Sequence, residues 1–281
     1  MRIFVTGCKG QLGKSLHPLL EGDVLCGADL PEYDITDPLA IRKVIVDFAP
    51  DVVIHAGAFT NVDACEADPD TAYRVNALGT HNVALACLQC GAEMVHISTN
   101  EVFDGTKNAP YLEFDAPNPI NTYAKTKWAG EQCVHRFLHR YYIVRTAWLY
   151  ARGGNNFVEK IIRAADERGE LSVVHDEFGS PTYAPDLAEA IVKLIGTHHY
   201  GVYHFTNEGV CSRYDWAVRI LQLTGREHVP AKPIPASEWK RASTPPRYAP
   251  LRNFCGAALG ITLRPWQDAL EAYFGNTDEH R

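Results

Sequence analysis

Nowhere in the 281-residue chain does an apolar stretch of roughly 18 residues run uninterrupted, which argues against a transmembrane helix. A basic cluster is missing as well. With 27 Lys and Arg against 34 Asp and Glu the net charge is −7, so long-range electrostatics disfavour nucleic acid or an anionic membrane surface as the main partner. The opening "MRIFVTG" enters a strand pattern at once, with no basic region, long apolar run or small-residue cleavage site, and a cytoplasmic protein is the expectation. Cysteine is not concentrated either: the eight are scattered through predicted strands and helices and read as reduced core residues. "CLQC" (Cys87, Cys90) lies on a helical pattern with no second ligand pair at metal spacing, and the twelve histidines form no ligand constellation. No metal site is expected.

What is present is a rhythm. Short runs rich in Val and Ile at 2–7, 23–29, 51–58, 92–99 and 141–148 suit buried parallel strands. Helix-length patterns at 11–20, 37–50, 70–91 and 122–140 separate them, and Pro18 should kink or end the first. This alternation predicts an α/β fold with right-handed crossovers and a doubly wound parallel Rossmann-type sheet. After about residue 150 the rhythm loosens. Helices over 156–169, 185–196 and 212–225 alternate with short strands at 171–176 and 202–207, and a Pro-dense stretch, 232–253, resists helix formation. The expected organisation is a dinucleotide-binding domain over 1–150, rejoined by segments around 171–225, and a small substrate-binding lobe within 151–281.

"TGCKGQLG" places Gly7, Gly10 and Gly13 directly after a strand and at the start of a helix. Small residues are needed there for the turn, for approach of a pyrophosphate to the backbone, and for close packing of helix on strand. The helix start offers unpaired N–H groups to the phosphates. Asp29, about twenty residues on and ending the second strand, is placed to hold an adenosine ribose; its charge would repel a 2′-phosphate, so NADH is mildly favoured over NADPH. The plainer alternative for Asp29 is a solvated loop acid.

"NTYAKTKWAGE" sets Tyr123 and Lys127 four apart, on one face of a helix. A phenol of pKa about 10 is a weak acid at neutral pH, and a nearby ammonium stabilises its anion. The pair can protonate a carbonyl oxygen as hydride reaches its carbon. Thr99, at the end of a strand, is placed to hydrogen-bond the same oxygen.

The set "TGCKGQLG", "DITDP", "HAGAFTNVDACEADPDTAYRVNA", "STNEVFDG", "YAKTK", "RTAWLY" and "FGSPTYAPDLA" resembles the extended short-chain dehydrogenase/reductase family over nearly the whole chain, and within it the reductases that act on the C4 ketone of a dTDP-linked deoxysugar. The resemblance implies Thr99, Tyr123 and Lys127 as the catalytic triad, with Lys127 also holding the nicotinamide ribose. It implies Gly7, Gly10, Gln11, Leu12 and Gly13 around the pyrophosphate, Asp34 and Ile35 at the adenine, and Ala56, Gly57 and Ala58 along the cofactor. It further implies Trp148 packed on the deoxysugar and Asn156 shaping the sugar-nucleotide pocket. Two plainer roles stand beside these: Trp148 as a core aromatic, and Asn156 as the N-cap of the helix beginning at Phe157.

The chain departs from the family in three places. Many members read S-T-D-Y-V-F where this chain has "STNEVF", so Asn100 replaces an aspartate and Glu101 an aromatic. "TPPRYAPL" has proline where an arginine would stand, leaving Arg247, two residues later, to reach a diphosphate. Ser15 occupies the position at which some members carry a metal-linked glutamate, which again predicts no metal. The implied partner is a nucleotide-sugar substrate and the implied assembly a monomer or homodimer. A reductase or epimerase of another nucleotide sugar is the alternative enzyme, and a non-catalytic dinucleotide-binding regulatory subunit the alternative of another class.

Overall fold

The Val- and Ile-rich runs of the first half become strands Arg2–Thr6 (β1), Val24–Ala28 (β2), Val52–His55 (β3), Glu93–Thr99 (β4) and Tyr141–Thr146 (β5). The second half adds Leu149–Tyr150 (β6), Leu171–Val174 (β7), Phe178–Gly179 (β8), Thr182–Tyr183 (β9), Gly201–His204 (β10), Cys211–Ser212 (β11) and Ala231–Ile234 (β12). These come from a computed structural model in which residues 1–275 are described. The last six residues of the predicted lobe, 276–281, lie outside the described residues.

One sheet organises the molecule, in the order β10-β5-β4-β3-β1-β2, with every pairing parallel. Successive residues of its strands point to opposite faces, and both faces are apolar. Ile3, Val5, Ile54, Val95 and Val144 enter one core, while Phe4, Val53, Met94 and Ile143 enter the other. This double burial explains why the strands read as continuous apolar runs instead of alternating ones.

The helices are Gln11–Leu16 (α1), Pro38–Phe48 (α2), Val62–Ala67 (α3), Pro69–Tyr73 (α4), Thr80–Cys90 (α5), Thr122–Phe137 (α6), Phe157–Arg168 (α7), Ala184–Ile195 (α8), Arg213–Leu223 (α9), Cys255–Ala258 (α10) and Trp266–Gly275 (α11). Local chemistry sets several ends. Asp37 caps α2 by accepting from the amides of Leu39 and Ala40, with Pro38 in the first turn. Pro18 does end α1: the chain passes into a tighter turn over His17–Leu20. The pattern read as one helix over 70–91 is α4 and α5 joined through a wider π-helical segment, Arg74–Gly79.

Two pieces of the second half return to the sheet. Helix α8 buries Leu187, Ile191 and Leu194 in the same core as Leu12 and Leu16 of α1, and β10 extends the sheet beside β5. By contrast β7 pairs with β12, drawn from the Pro-rich stretch, and belongs to a separate core built around Trp216, Tyr150, Ile220 and Leu270. The lobe is thus interleaved with the sheet domain along the sequence.

Beneath α6 lies a buried ion pair. Arg145 of β5 donates from Nε to Glu131 Oε1 (3.0 Å) and from Nη2 to Oε2 (2.7 Å), and Ser98 of β4 donates to the same carboxylate. The two charged side chains are 3% and 0% exposed, so neither has water to fall back on. Glu131→Ala should therefore strand the guanidinium and lower unfolding free energy by about 3–5 kcal/mol in denaturant titration. A loss below about 1 kcal/mol would show that the pair does not hold α6 to the sheet.

Candidate active site

At the C-terminal edge of the sheet the chain comes very close to itself. Gly7 turns with φ +69, and a Cβ there would lie 2.8 Å from Gly57 N and 2.9 Å from the Ala56 carbonyl carbon. At Gly13 a Cβ would come 2.5 Å from Gly7 O. These are backbone contacts that cannot give way, so the glycines serve helix–strand proximity. Gly10 is the N-cap of α1 and brings no side-chain cap to the first amides. A dinucleotide pyrophosphate fits such a helix start. Leu12 is buried in the core. Gln11 turns to the lobe, where its Oε1 accepts from Ala151 N (2.8 Å) and Asn156 Nδ2 (3.0 Å). A cavity of about 410 Å³ opens beside this loop, bordered by Lys9, Gly10, Arg152, Gly154 and Tyr183.

The acids assigned to the cofactor are partly occupied with the backbone. Asp29 accepts from Lys9 N and Leu30 N, both at 2.8 Å, so its carboxylate braces the glycine loop. Lys9 Nζ pairs with Glu32 at 2.7 Å. Exposed Asp34 accepts from Thr36 N at 2.8 Å, and Ile35 packs on Gly79, where a Cβ would meet it at 2.8 Å. Ala56, Gly57 and Ala58 follow β3 directly and are half-buried.

The predicted triad converges. Thr99 ends β4, and α6 begins beside it, capped by Asn121 Oδ1 accepting from Ala124 N at 2.8 Å. Lys127, 3% exposed, donates from Nζ to Ile97 O at 2.7 Å, which carries the ammonium under the strand end. Burial lowers its pKa to about 8, and Glu131, one helical turn on, works against that fall. Burial, with the charge of Glu101, pushes the Tyr123 phenol above its usual range, while the Thr99 hydroxyl against it acts in the opposite sense. In the absence of a ligand the phenol therefore holds its proton.

A second network, whose members had no assigned role, packs beside this trio. Asn76, in the π-helical segment, donates to Phe59 O and to Thr126 Oγ1, both at 3.0 Å, and accepts from Phe59 N at 2.8 Å. It ties the stretch after β3 to α6, one residue before Lys127. His55 bridges Thr6 Oγ1 (2.7 Å) and Thr80 Oγ1 (3.1 Å) and stacks on His96 across neighbouring strands. Burial and the Lys127 charge hold His55 neutral, with a pKa of about 3. Asn76 lay inside the quoted "YRVNA", but nothing in a linear pattern marks an asparagine as a bridge between distant segments.

The lobe supplies the facing wall. Trp148 adopts φ +47, a conformation strained for a bulky residue. It is clamped there: the Arg213 guanidinium lies 3.7 Å from its ring centroid, Trp216 stacks in parallel, and Gly179 of "FGSPTY" packs so close that a Cβ would come within 2.7 Å of the ring. Asn156 does cap α7, accepting from Glu159 N at 3.2 Å, and it also donates to Gln11 and to Ala151 O. Its amide is spent on joining the lobe to the glycine loop. Arg247 stands apart, with its side chain 69% exposed and 3.7 Å from Asp176. Arg213, Arg241 and Glu177 were not foreseen. They cluster with Glu101, and burial lowers the Arg213 pKa to about 10 against the pull of Glu177 and Glu101.

Similarity to known proteins covers nearly the whole chain. Residues 1–278 match the RmlD substrate binding domain family. The spore coat polysaccharide biosynthesis protein SpsK of Bacillus subtilis is 38% identical, with 97% of this chain and 96% of that protein covered. Two crystal structures superpose closely: a dTDP-4-dehydrorhamnose reductase of Clostridium acetobutylicum, at TM-score 0.94 and 43% identity over 98% of this chain and 99% of that one, and one of Bacillus anthracis solved with NADP, at TM-score 0.95 and 41% identity with the same coverage. A strand-end threonine, a Tyr–Lys pair one helical turn apart and a glycine loop are thus set in a fold shared from end to end, and the chain belongs to the RmlD substrate binding domain family.

Proposed function

We propose that this chain is an NAD(P)H-dependent oxidoreductase that reduces the C4 ketone of dTDP-4-dehydro-6-deoxy-L-mannose (dTDP-4-dehydrorhamnose) to give dTDP-L-rhamnose, in the cytoplasm, as a monomer or homodimer. The observation that carries this reading is the convergence of Thr99, Tyr123 and Lys127 beside a glycine loop whose backbone spacing admits no side chain. When bound, the dinucleotide supplies the hydride. Gly7, Gly10 and Gly13 would hold its pyrophosphate, with Leu12 and Gln11 shaping the helix start. Asp29, Asp34 and Ile35 would line the adenosine end, and Ala56, Gly57 and Ala58 its length. Asp29 and Glu32 make that edge acidic, which favours NADH over a 2′-phosphorylated cofactor; Lys9, paired with Glu32, is a cation at the same edge.

The protein's own work is proton handling and alignment. Thr99 and Tyr123 converge on the carbonyl oxygen, and the phenol donates its proton as negative charge develops there. The Lys127 ammonium stabilises the resulting phenolate and holds the nicotinamide ribose. Trp148, strained, clamped and half-buried, would pack on the deoxysugar. Arg247, an exposed cation of the lobe, meets the diphosphate, while Asn156 keeps the two walls in register.

Three outcomes follow. Dinucleotide oxidation, followed by absorbance with NADH and NADPH in parallel, should require a dTDP-4-keto-6-deoxy sugar that has passed through a 3,5-epimerase; binding of dinucleotide without oxidation of either cofactor would sink the proposal. Tyr123→Phe should lower kcat by about 10²–10⁴-fold while cofactor affinity in a binding titration stays within about threefold. In a pH profile, kcat/KM for reduction should fall as pH rises through about 8, where Lys127 loses its proton. Lys127→Met, already much less active, should lack that limb.

A further inference from the structure

Glu101 takes no part in the proton transfer described above, yet it is fastened to both elements that perform it. Its amide donates to Thr99 Oγ1 at 3.2 Å, and its Oε2 accepts from Asn121 Nδ2 at 2.7 Å. Asn121 is the N-cap of the helix that carries Tyr123. The carboxyl is close enough to the phenol for its charge to be felt there; burial raises the Glu101 pKa above the usual carboxylate range, and the Asn121 bond and the charges of Arg213 and Arg241 act in the opposite sense. Neither arginine bonds it. Arg241 is committed to Glu177, and Arg213 is stacked on Trp148. Among the described residues Oε1 of Glu101 has no hydrogen-bond partner, and the residue is half-buried. An anchored carboxyl oxygen without a partner, beside a proton donor, keeps acceptor capacity for a hydroxyl brought next to that donor.

Resting on the reductase reading, the occupant has two carbons next to its carbonyl. One bears a methyl group and offers no donor. The other bears a hydroxyl. We infer that Glu101 determines specificity by accepting a hydrogen bond from the hydroxyl on the carbon adjacent to the reacting ketone, C3 of the sugar, while Thr99 and Tyr123 hold the ketone oxygen itself. Asn121 then has a double task, because the same side chain caps α6 and aims the carboxylate. Two contacts on adjacent substrate oxygens fix the plane of the carbonyl, and sugars lacking the second oxygen lose that alignment.

The test compares the 4-keto-6-deoxy substrate with its 3-deoxy counterpart, using the full-length wild-type enzyme and the variants E101Q and E101A. The wild type should favour the hydroxylated sugar by about 10- to 100-fold in kcat/KM, the worth of a hydrogen bond to a charged group. E101A should lose most of that preference, slowing about 10-fold or more further on the hydroxylated sugar than on the 3-deoxy sugar. E101Q, which keeps an acceptor of the same shape, should fall between. Equal losses on both sugars in the variants, or a wild type that does not discriminate, would overturn the assignment without touching the reductase reading. A wild type that binds dinucleotide but reduces neither sugar would overturn the reading and this inference together.

Discussion

The Lys127 ammonium, buried and bonded to the Ile97 carbonyl, is the charge on which the rest of the site depends. An unpaired cation in that position would be costly, and the structure meets the cost indirectly. Glu131 lies one turn away and favours the charged form, but its oxygens are already engaged by Arg145 and Ser98. The lysine therefore feels a carboxylate without being neutralised by it, and its proton is held loosely, with a pKa of about 8. The neighbouring imidazoles complete the setting. His55 and His96 lie within the lysine's field and stay neutral because burial and that field both oppose a second positive charge.

Strand ends supply this geometry at little conformational cost. In a parallel sheet the C-terminal ends of β1, β3 and β4 lie side by side, so the glycine loop, the Ala56–Ala58 stretch and Thr99 share one edge without any long excursion of the chain. Close backbone approach at Gly7 and Gly13 then draws the start of α1 against that edge. The lobe is held to it through polar side chains. Gln11, Asn156 and the Ala151 backbone form one knot between them, and Asn76 forms another between the post-β3 stretch and α6.

Much of this was legible in the amino-acid order because it is local. The strand runs, the glycine spacing and the i, i+4 placement of Tyr123 and Lys127 follow from chain geometry alone, and each appears where its pattern lies. The cap at Asn156 was legible for the same reason, since an asparagine before a helix needs only its own neighbours. Glu101 could be noticed as a departure, but its bond to Asn121 joins residues twenty apart, and the cations near it, Arg213 and Arg241, come from α9 and beyond. Arg213 gave no signal at all. It reads as part of the first turn of an ordinary helix over 212–225, and only packing places it on Trp148.

By itself, then, the sequence determined the alternating α/β architecture, the glycine loop after β1 and the placing of Tyr123 and Lys127 on one helix face, because each is encoded within a turn or two of chain. Tertiary structure decided which of the segments expected to return around 171–225 actually do so, α8 and β10 but not β7, since strand partnership depends on which apolar faces remain to be covered. It also decided the electrostatics. The proton affinity of Lys127 and the neutrality of His55 arise from burial and from charges brought near by folding, and neither exists until the chain has closed around them.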